Sequence, residues 1–159
     1  MRVRQIGPEA IREFRTIRLR ALADAPQAFG ARLDDEQSQD EAWWLQRLVG
    51  GAVFIAEDHT GPHGITTTRP DPEDPSVVDV FSMWVAPEHR RQGLGRRLLS
   101  AAVDWSRNTH ARTVRIGVAN DNDAAWELYL NAGFVPTGEK EPLLSDPTRQ
   151  VSYLELTLV

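Results

Sequence analysis

Two periodicities alternate along the chain, and the switches between them lay out its elements. Residues 3–6 read as a short opening strand. From Pro8 to Ala25, the apolar positions Ala10, Phe14, Ile17 and Ala21 recur at helical spacing, and Pro8 suits a helix start. Residues 34–41 are acidic and polar. They lead into a second, short helix from Glu41 to Val49 that carries Trp43, Trp44, Leu45 and Leu48. The run from Val53 to Ala56 reads as a buried strand, with β-branched Ile65 to Thr68 as its hairpin partner. Val77 to Val85 predicts a long apolar strand that Pro87 stops. A helix then begins at Gly93, with Leu94, Leu98, Ala101, Ala102 and Trp105 on one face and Arg97, Ser100, Asp104 and Arg107 on the others. Thr113 to Val118 predicts a further strand. Asn122 or Asp123 can cap the next helix, where Ala125, Leu128, Tyr129 and Ala132 fall on one side and Gly133 suits the residue past its end. Phe134-Val135 and Val151 to Leu158 read as the last strands. The order β-α-α-β-β-β-α-β-α-β-β predicts a mixed α/β domain.

The loops richest in Gly and Pro, residues 59–64 and 69–75, punctuate strands rather than separate domains, so a single domain over 1–159 is expected. Hydrophobic residues make up 41% and charged residues 26%, the balance of a globular chain. No apolar run approaches the ~20 residues of a membrane span. The segment Met1-Arg2-Val3-Arg4-Gln5 lacks the apolar stretch of a signal peptide, so a cytoplasmic location and no membrane partner are expected. Cysteine is absent, which excludes disulfides, thiolate nucleophiles and Cys-based zinc sites. The net charge of −5 argues against a nucleic-acid partner. Lys140 is the single lysine among eighteen basic residues. Arginine is the better phosphate ligand, but a coding bias explains the imbalance equally well.

The segment from Trp84 to Leu99 joins the long strand to the amphipathic helix through a glycine-bearing turn, Arg90-Arg91-Gln92-Gly93-Leu94-Gly95-Arg96. A helix N-terminus offers unpaired N–H groups and the positive end of its dipole, and glycines admit an anionic ligand close to the backbone. Arg90, Arg91, Arg96 and Arg97 add positive potential. The segment lacks the lysine and Ser/Thr of a P-loop and the third glycine of a dinucleotide fingerprint. An anion site and a basic, solvated helix start both remain open on these residues.

Arg90-Arg91-Gln92-Gly93-Leu94-Gly95 resembles the Q/R-x-x-G-x-G/A signature of the GNAT N-acetyltransferase superfamily. Asn122-Asp123-Ala124-Ala125-Trp126-Glu127-Leu128-Tyr129, followed by Gly133-Phe134, resembles the family's N-x-x-A-x-x-L-Y-x-x-x-G-F segment. Both stand in the family's order and spacing. The resemblance implies a mixed sheet of about seven strands flanked by about four helices, with strands four and five splayed around the cofactor. It implies acetyl-CoA as donor and no metal. Backbone groups of Met83, Trp84 and Val85 would pair with the pantetheine arm. The loop around Gln92, Gly93, Leu94 and Gly95, with Arg90, Arg91 and Arg96, would hold the pyrophosphate. Asn122 would touch the pantetheine, and the Tyr129 hydroxyl would face the sulfur and protonate the leaving thiolate. A core tyrosine bonded to a carbonyl is the plainer reading of Tyr129.

Transfer to an amine needs a neutral nucleophile, donors for the thioester oxygen and a proton for the thiolate. Asp79, alone in an apolar strand, is a candidate base; pairing with an arginine is the alternative. Some family members place a Glu on strand five, where this chain has Gly117, so that base is missing and a water chain can substitute. With no cysteine, direct attack in a ternary complex is expected rather than an acetyl-enzyme. His59 and His63, four apart in a glycine-proline loop, lack a third ligand for a metal, and His89 reads as a solvated loop residue. The run Asp34-Asp35-Glu36 with Asp40-Glu41 is either a solvated helix start or an attractor of cationic acceptors. Trp43 and Trp44 line the acceptor site on one reading and form core on the other. The expected activity is acetyl transfer from acetyl-CoA to a primary amine, small molecule or peptide. The alternatives are a nucleic-acid-directed acyltransferase using the Arg90–Arg97 edge, and a non-catalytic acyl-CoA-binding module. The last strand offers an edge through which a homodimer could form.

Overall fold

The computed structural model describes residues 1–158. Seven strands form one sheet in the order β1-β2-β3-β4-β5-β7-β6. They are β1 (Arg2–Ile6), β2 (Ala52–Asp58), β3 (Gly61–Pro70), β4 (Val77–Val85), β5 (Thr113–Ala119), β6 (Val135–Leu143) and β7 (Asp146–Thr157). Five α-helices accompany them: α1 (Ile11–Asp24), α2 (Leu33–Gln37), α3 (Glu41–Val49), α4 (Leu94–Asn108) and α5 (Asp123–Asn131). Pro8, Pro26 and Pro87 each open a short 3-10 turn, where the missing proline N–H costs nothing.

The element order and the mixed α/β class agree with the sequence pattern, and the differences are local. The acidic stretch holds an additional short helix, α2, because Leu33 anchors it against the α1 core. β6 is nine residues long rather than two. Its Thr137, Glu139 and Glu141 are polar or charged, so the strand lacks an apolar stripe and no periodicity announced it. The final strand is not an edge: β7 pairs with β5 on one side and β6 on the other, which leaves β1 and β6 as the edges. The edge expected for a dimer is therefore occupied within the chain.

Two layers cover the sheet. On one face, α1 and α3 bury Phe14, Ile17, Ala21, Trp44 and Leu48 against Val53, Ile55, Ile65 and Trp84. On the other, α4 and α5 bury Leu99, Ala102 and Tyr129 against Val80, Val114, Ile116 and Val118. β5 shows the rule in its plainest form. Val114, Ile116 and Val118 enter the α4–α5 core, whereas Arg115, Gly117 and Ala119 face the other side.

β4 breaks that rule. Its pairing with β3 slips between Ile65 and Thr67, with Ser82 at φ 61°. Two residues of β4 then oppose one of β3, the arrangement of a β-bulge. The bulge reverses the facing of every later side chain. Before it, Val80 enters the α4–α5 core and Asp79 faces the α1–α3 side; after it, Met83 and Val85 pack towards α4 while Trp84 joins the α1 core. The parallel pairing of β4 with β5 also ends at Val80 and Ile116. Beyond that point the two strands part, and the Phe81–Val85 stretch has no strand partner on its β5 side.

Candidate active site

The glycine loop and the start of α4 form one wall of the gap. Gly93 caps the helix with φ 81°, a left-handed conformation that a side chain strains. The first bond back into this turn runs from the Arg97 N–H to the Gly93 carbonyl, 3.1 Å. The N–H groups of Leu94, Gly95 and Arg96 are therefore left without an intrahelical acceptor. A Cβ at Gly93 would meet no protein atom within 4 Å, so the loop is open on that side. Gly95 serves packing instead, since a Cβ there would come within 3.2 Å of the Leu128 Cδ2, and its absence sets the close approach of α4 to α5. Arg91, Gln92 and Arg96 are exposed around the loop. Arg90 is committed elsewhere, donating to the Val85 carbonyl at 2.9 Å and to Asp24 at 2.8 Å. Asp24 also accepts from the Trp84 indole at 2.9 Å, which ties the loop to α1. The backbone contacts expected of Met83, Trp84 and Val85 fall on the stretch of β4 whose β5 side is open, and the Trp84 side chain itself is core.

Asn122 caps α5, its side-chain oxygen accepting from the Ala125 N–H at 3.2 Å. Its amide NH₂ remains to donate. Tyr129, seven residues on, is 3% exposed and lies in one cluster with Val80, Ile116 and Met83, the residues around the parting of the strands. Its ring is 6.1 Å from that of Phe134. Burial pushes the phenol above its ordinary pKa, which keeps it a proton donor across the physiological range.

The opposite face opens into a cavity of about 620 Å³. Phe14, Arg18, Phe29, Trp43 and Arg47 line it from the helical layer, and Arg69, Asp79, Phe81, Ser82, Arg115, Gly117 and Tyr153 from the sheet. Asp79 sits here, and both its oxygens are held by Arg115, at 2.6 Å from Nε and 3.0 Å from the second nitrogen. Arg115 also donates to Asp71 at 2.8 Å. Taking a proton at Asp79 would break that bidentate bridge. Gly117, the position without the expected Glu, is closed by its neighbours: a Cβ would lie 2.9 Å from the Tyr153 ring and 3.0 Å from Val151.

The acidic run divides. Glu36 is buried and bridges Arg18 through two bonds of 2.8 and 2.9 Å, while Arg18 also donates to Ser82 Oγ at 2.6 Å. Removing one member of such a buried pair costs about 3–5 kcal/mol. Glu36 is thus a strut between α1, α2 and the β4 bulge and offers no charge to a ligand. Asp34 and Asp35 are exposed. Trp44 is fully buried and Trp43 lines the cavity, so one of the pair is core and the other is surface of the site. His59 does not join His63. Instead His63 contacts Asp58 at 2.9 Å and Thr60 at 2.8 Å, with the His89 ring 4.0 Å away. Sequence reasoning missed Arg18, Arg47, Arg69 and Arg115, because they are scattered over α1, α3, β3 and β5 and only the fold gathers them.

A loop of free N–H groups, an open strand edge and a buried phenol on one face, with a cavity on the other, match a known pattern. The family model for acetyltransferases of the GNAT family matches residues 14–134. The chain belongs to the GNAT acetyltransferase family. Its members take acetyl-CoA as donor, and the parted strands and the α4 N-terminus of this chain fit that molecule. The L-amino acid N-acyltransferase MnaT of Escherichia coli K12 is 31% identical over 74% of this chain and 69% of its own length. An L-methionine sulfoximine/L-methionine sulfone acetyltransferase of Salmonella typhimurium is 30% identical over 62% of this chain, which spans 59% of that protein. A mycothiol acetyltransferase of Rhodococcus erythropolis is 28% identical over 80% of this chain but only 44% of its own length. Among solved structures, the YncA protein of Salmonella typhimurium, with its cofactor acetyl-CoA, superposes over 100% of this chain and 94% of its own, with TM-score 0.75 and 22% identity. A GNAT acetyltransferase of Streptococcus pneumoniae does so with TM-score 0.79 and 19% identity. Both likenesses are of fold. No helix among the described residues is long and apolar enough to cross a membrane.

Proposed function

We propose that this GNAT protein transfers the acetyl group of acetyl-CoA directly to a primary amine of a small molecule or peptide, the two substrates meeting through the gap between β4 and β5. The observation that carries the reading is the loss of β4–β5 pairing beyond Val80 and Ile116, with the α4 donors on one face and the cavity on the other. The pyrophosphate rests on the N–H groups of Leu94, Gly95 and Arg96, helped by the charges of Arg91 and Arg96. Gln92 and Gly93 shape that loop. The open edge of Met83, Trp84 and Val85 lines up the pantetheine arm as an added strand would, and the Asn122 amide donates to it.

The neutral amine nitrogen enters from the cavity and attacks the thioester carbon; the carbon–sulfur bond breaks, the nitrogen gives up its extra proton to the water chain, and the thiolate takes a proton from Tyr129. Tyr129 is the catalytic acid in this reading, and it regains its proton from water. Nucleophile activation falls to a water chain and to the unpaired charges of Arg47 and Arg69, which favour the neutral form of an amine bound near them. Asp79 supports this from a distance by holding Arg115. The names of the amino-acid-acetylating relatives favour a small α-amino acid over a protein acceptor. The test is release of CoA thiol from acetyl-CoA across a panel of amino acids, amino-acid amides, polyamines and N-terminal peptides. Turnover of at least one amine is the expected result. Tight acetyl-CoA binding by calorimetry without turnover of any of them defeats the reading.

A further inference from the structure

Four arginines and two carboxylates line the acceptor cavity. The protein itself neutralises two of the arginines: Glu36 holds Arg18, and Asp79 with Asp71 holds Arg115. Glu141 is engaged by the Tyr153 hydroxyl. Arg47 and Arg69 form no ion pair among the described residues. Each lies instead over an aromatic ring of the cavity wall. The Arg47 guanidinium is 4.5 Å from the Trp43 centroid, and that of Arg69 is 5.1 Å from the Phe81 centroid. Stacking of this kind fixes the plane of the fork and leaves its N–H groups free for a ligand. Arg69 faces Asp79 across the β3–β4 ladder, but both oxygens of Asp79 are taken by Arg115. Arg47 also feels its neighbours. Desolvation, followed by the charges of Arg18 and Arg69, lowers its pKa, and only Glu36 opposes them.

Arg47 and Arg69 are two positioned cations that repel each other and are bridged to no carboxylate of the cavity, so they are complementary to an anion from outside. A planar carboxylate matches the guanidinium fork in shape and charge. We infer that the acceptor is an amine that also carries a carboxylate, and that Arg47 and Arg69 read this group while the amine points to the gap between β4 and β5. The inference rests on the transferase reading above and makes the acceptor anionic at one end. It replaces the cationic acceptor that the acidic run would have attracted.

The experiment compares kcat/KM for L-methionine, L-leucine and L-phenylalanine with that for their α-amides, at matched concentrations of the neutral amine. The free acids are expected to exceed the amides by at least about tenfold. In Arg47→Met and Arg69→Met this acid-to-amide ratio should fall by roughly tenfold to hundredfold, mainly through KM. Arg69→Lys, which keeps the charge and loses the fork, should retain part of it. Calorimetric acetyl-CoA binding by each variant shows that it is folded. A wild-type enzyme that prefers the amides or spermidine overturns the carboxylate assignment and leaves the transferase reading intact. A ratio unchanged in both folded Met variants also overturns it. An enzyme that binds acetyl-CoA and acetylates N-terminal peptides but none of these compounds overturns the carboxylate assignment alone; one that acetylates no amine of the wider panel overturns both.

Discussion

On the α4–α5 face of the sheet, the groups that the proposed reaction offers to the donor are mostly main chain: the N–H groups after Gly93 and the open edge of β4. On the α1–α3 face, the groups it would offer to the acceptor are side chains drawn from α1, α3, β3, β4, β5 and β7. The two faces share one sheet and one gap but answer to different constraints. A backbone site needs particular glycines and caps in a row, since only they give the φ values and the free donors. A side-chain site needs only that distant positions converge, so its residues change without disturbing the frame. The donor is accordingly common to the family, and the acceptor is local to this chain. Substitutions on the donor face should stop the reaction, and those on the acceptor face should redirect it.

The largest effect is expected at Tyr129. Tyr129→Phe keeps the ring against Phe134 and removes the hydroxyl alone. General-acid assistance is typically worth 10²–10⁴-fold. Turnover should fall by that order, with acetyl-CoA affinity within a few-fold. A loss below about threefold, with the chemical step shown to limit the rate, assigns Tyr129 to the core instead.

The same contrast decides what the sequence discloses. Gly93 and Asn122 stand in short, ordered motifs because a left-handed turn and a helix cap demand them, Gly95 and Tyr129 because α4 and α5 pack closely there, and the strand-loop-helix context around them is periodic. The cavity leaves no such trace. Arg18 reads as one polar position on an amphipathic helix, although the fold buries it against Glu36. The facing of Asp79 relative to Trp84 cannot be counted off by twos, because the bulge at Ser82 reverses the alternation between them. β6 escapes a pattern search for a related reason: an exposed edge strand has no core-facing stripe to display.

A graded break of the donor face comes from Gly93→Val. No protein atom lies within 4 Å of the added Cβ, so the variant tests conformation and ligand approach without a packing clash. A left-handed conformation costs an L-residue about 1–2 kcal/mol, and a β-branched one more. The loop should relax away from φ 81° and withdraw its N–H groups. Acetyl-CoA affinity, measured by calorimetry, should drop about tenfold or more, with the thermal transition still cooperative. Unchanged affinity removes the loop from the pyrophosphate site.

Asp79→Asn separates a base from a brace. Loss of a general base is typically a 10²–10⁴-fold effect and removes its acidic limb from the pH–rate profile. Loss of one anchor of Arg115, with Asp71 still in place at 2.8 Å, is a positioning change. We expect a decline below about tenfold, visible mostly in KM, with the acidic limb where it was. A displaced limb makes Asp79 the base.

The smallest effect is expected on the exposed part of the acidic run. Asp34 and Asp35 lie on α2, outside the set of residues lining the cavity. Their charges reach a substrate only through water, where screening sets a range of ~8 Å at physiological salt. Glu36, between the same helix and α1, is already committed to Arg18. In the double variant Asp34→Asn and Asp35→Asn, KM for L-methionine and for spermidine should each change by less than about twofold at physiological salt. The measurement is repeated at low ionic strength, where any long-range field is strongest. If KM for spermidine then rises severalfold while that for L-methionine falls, the run does steer cations to the site. The acceptor face would then carry two opposed selectivities, with acidic residues at its approach and arginines within. If neither constant moves, discrimination on this face comes from the cavity arginines alone.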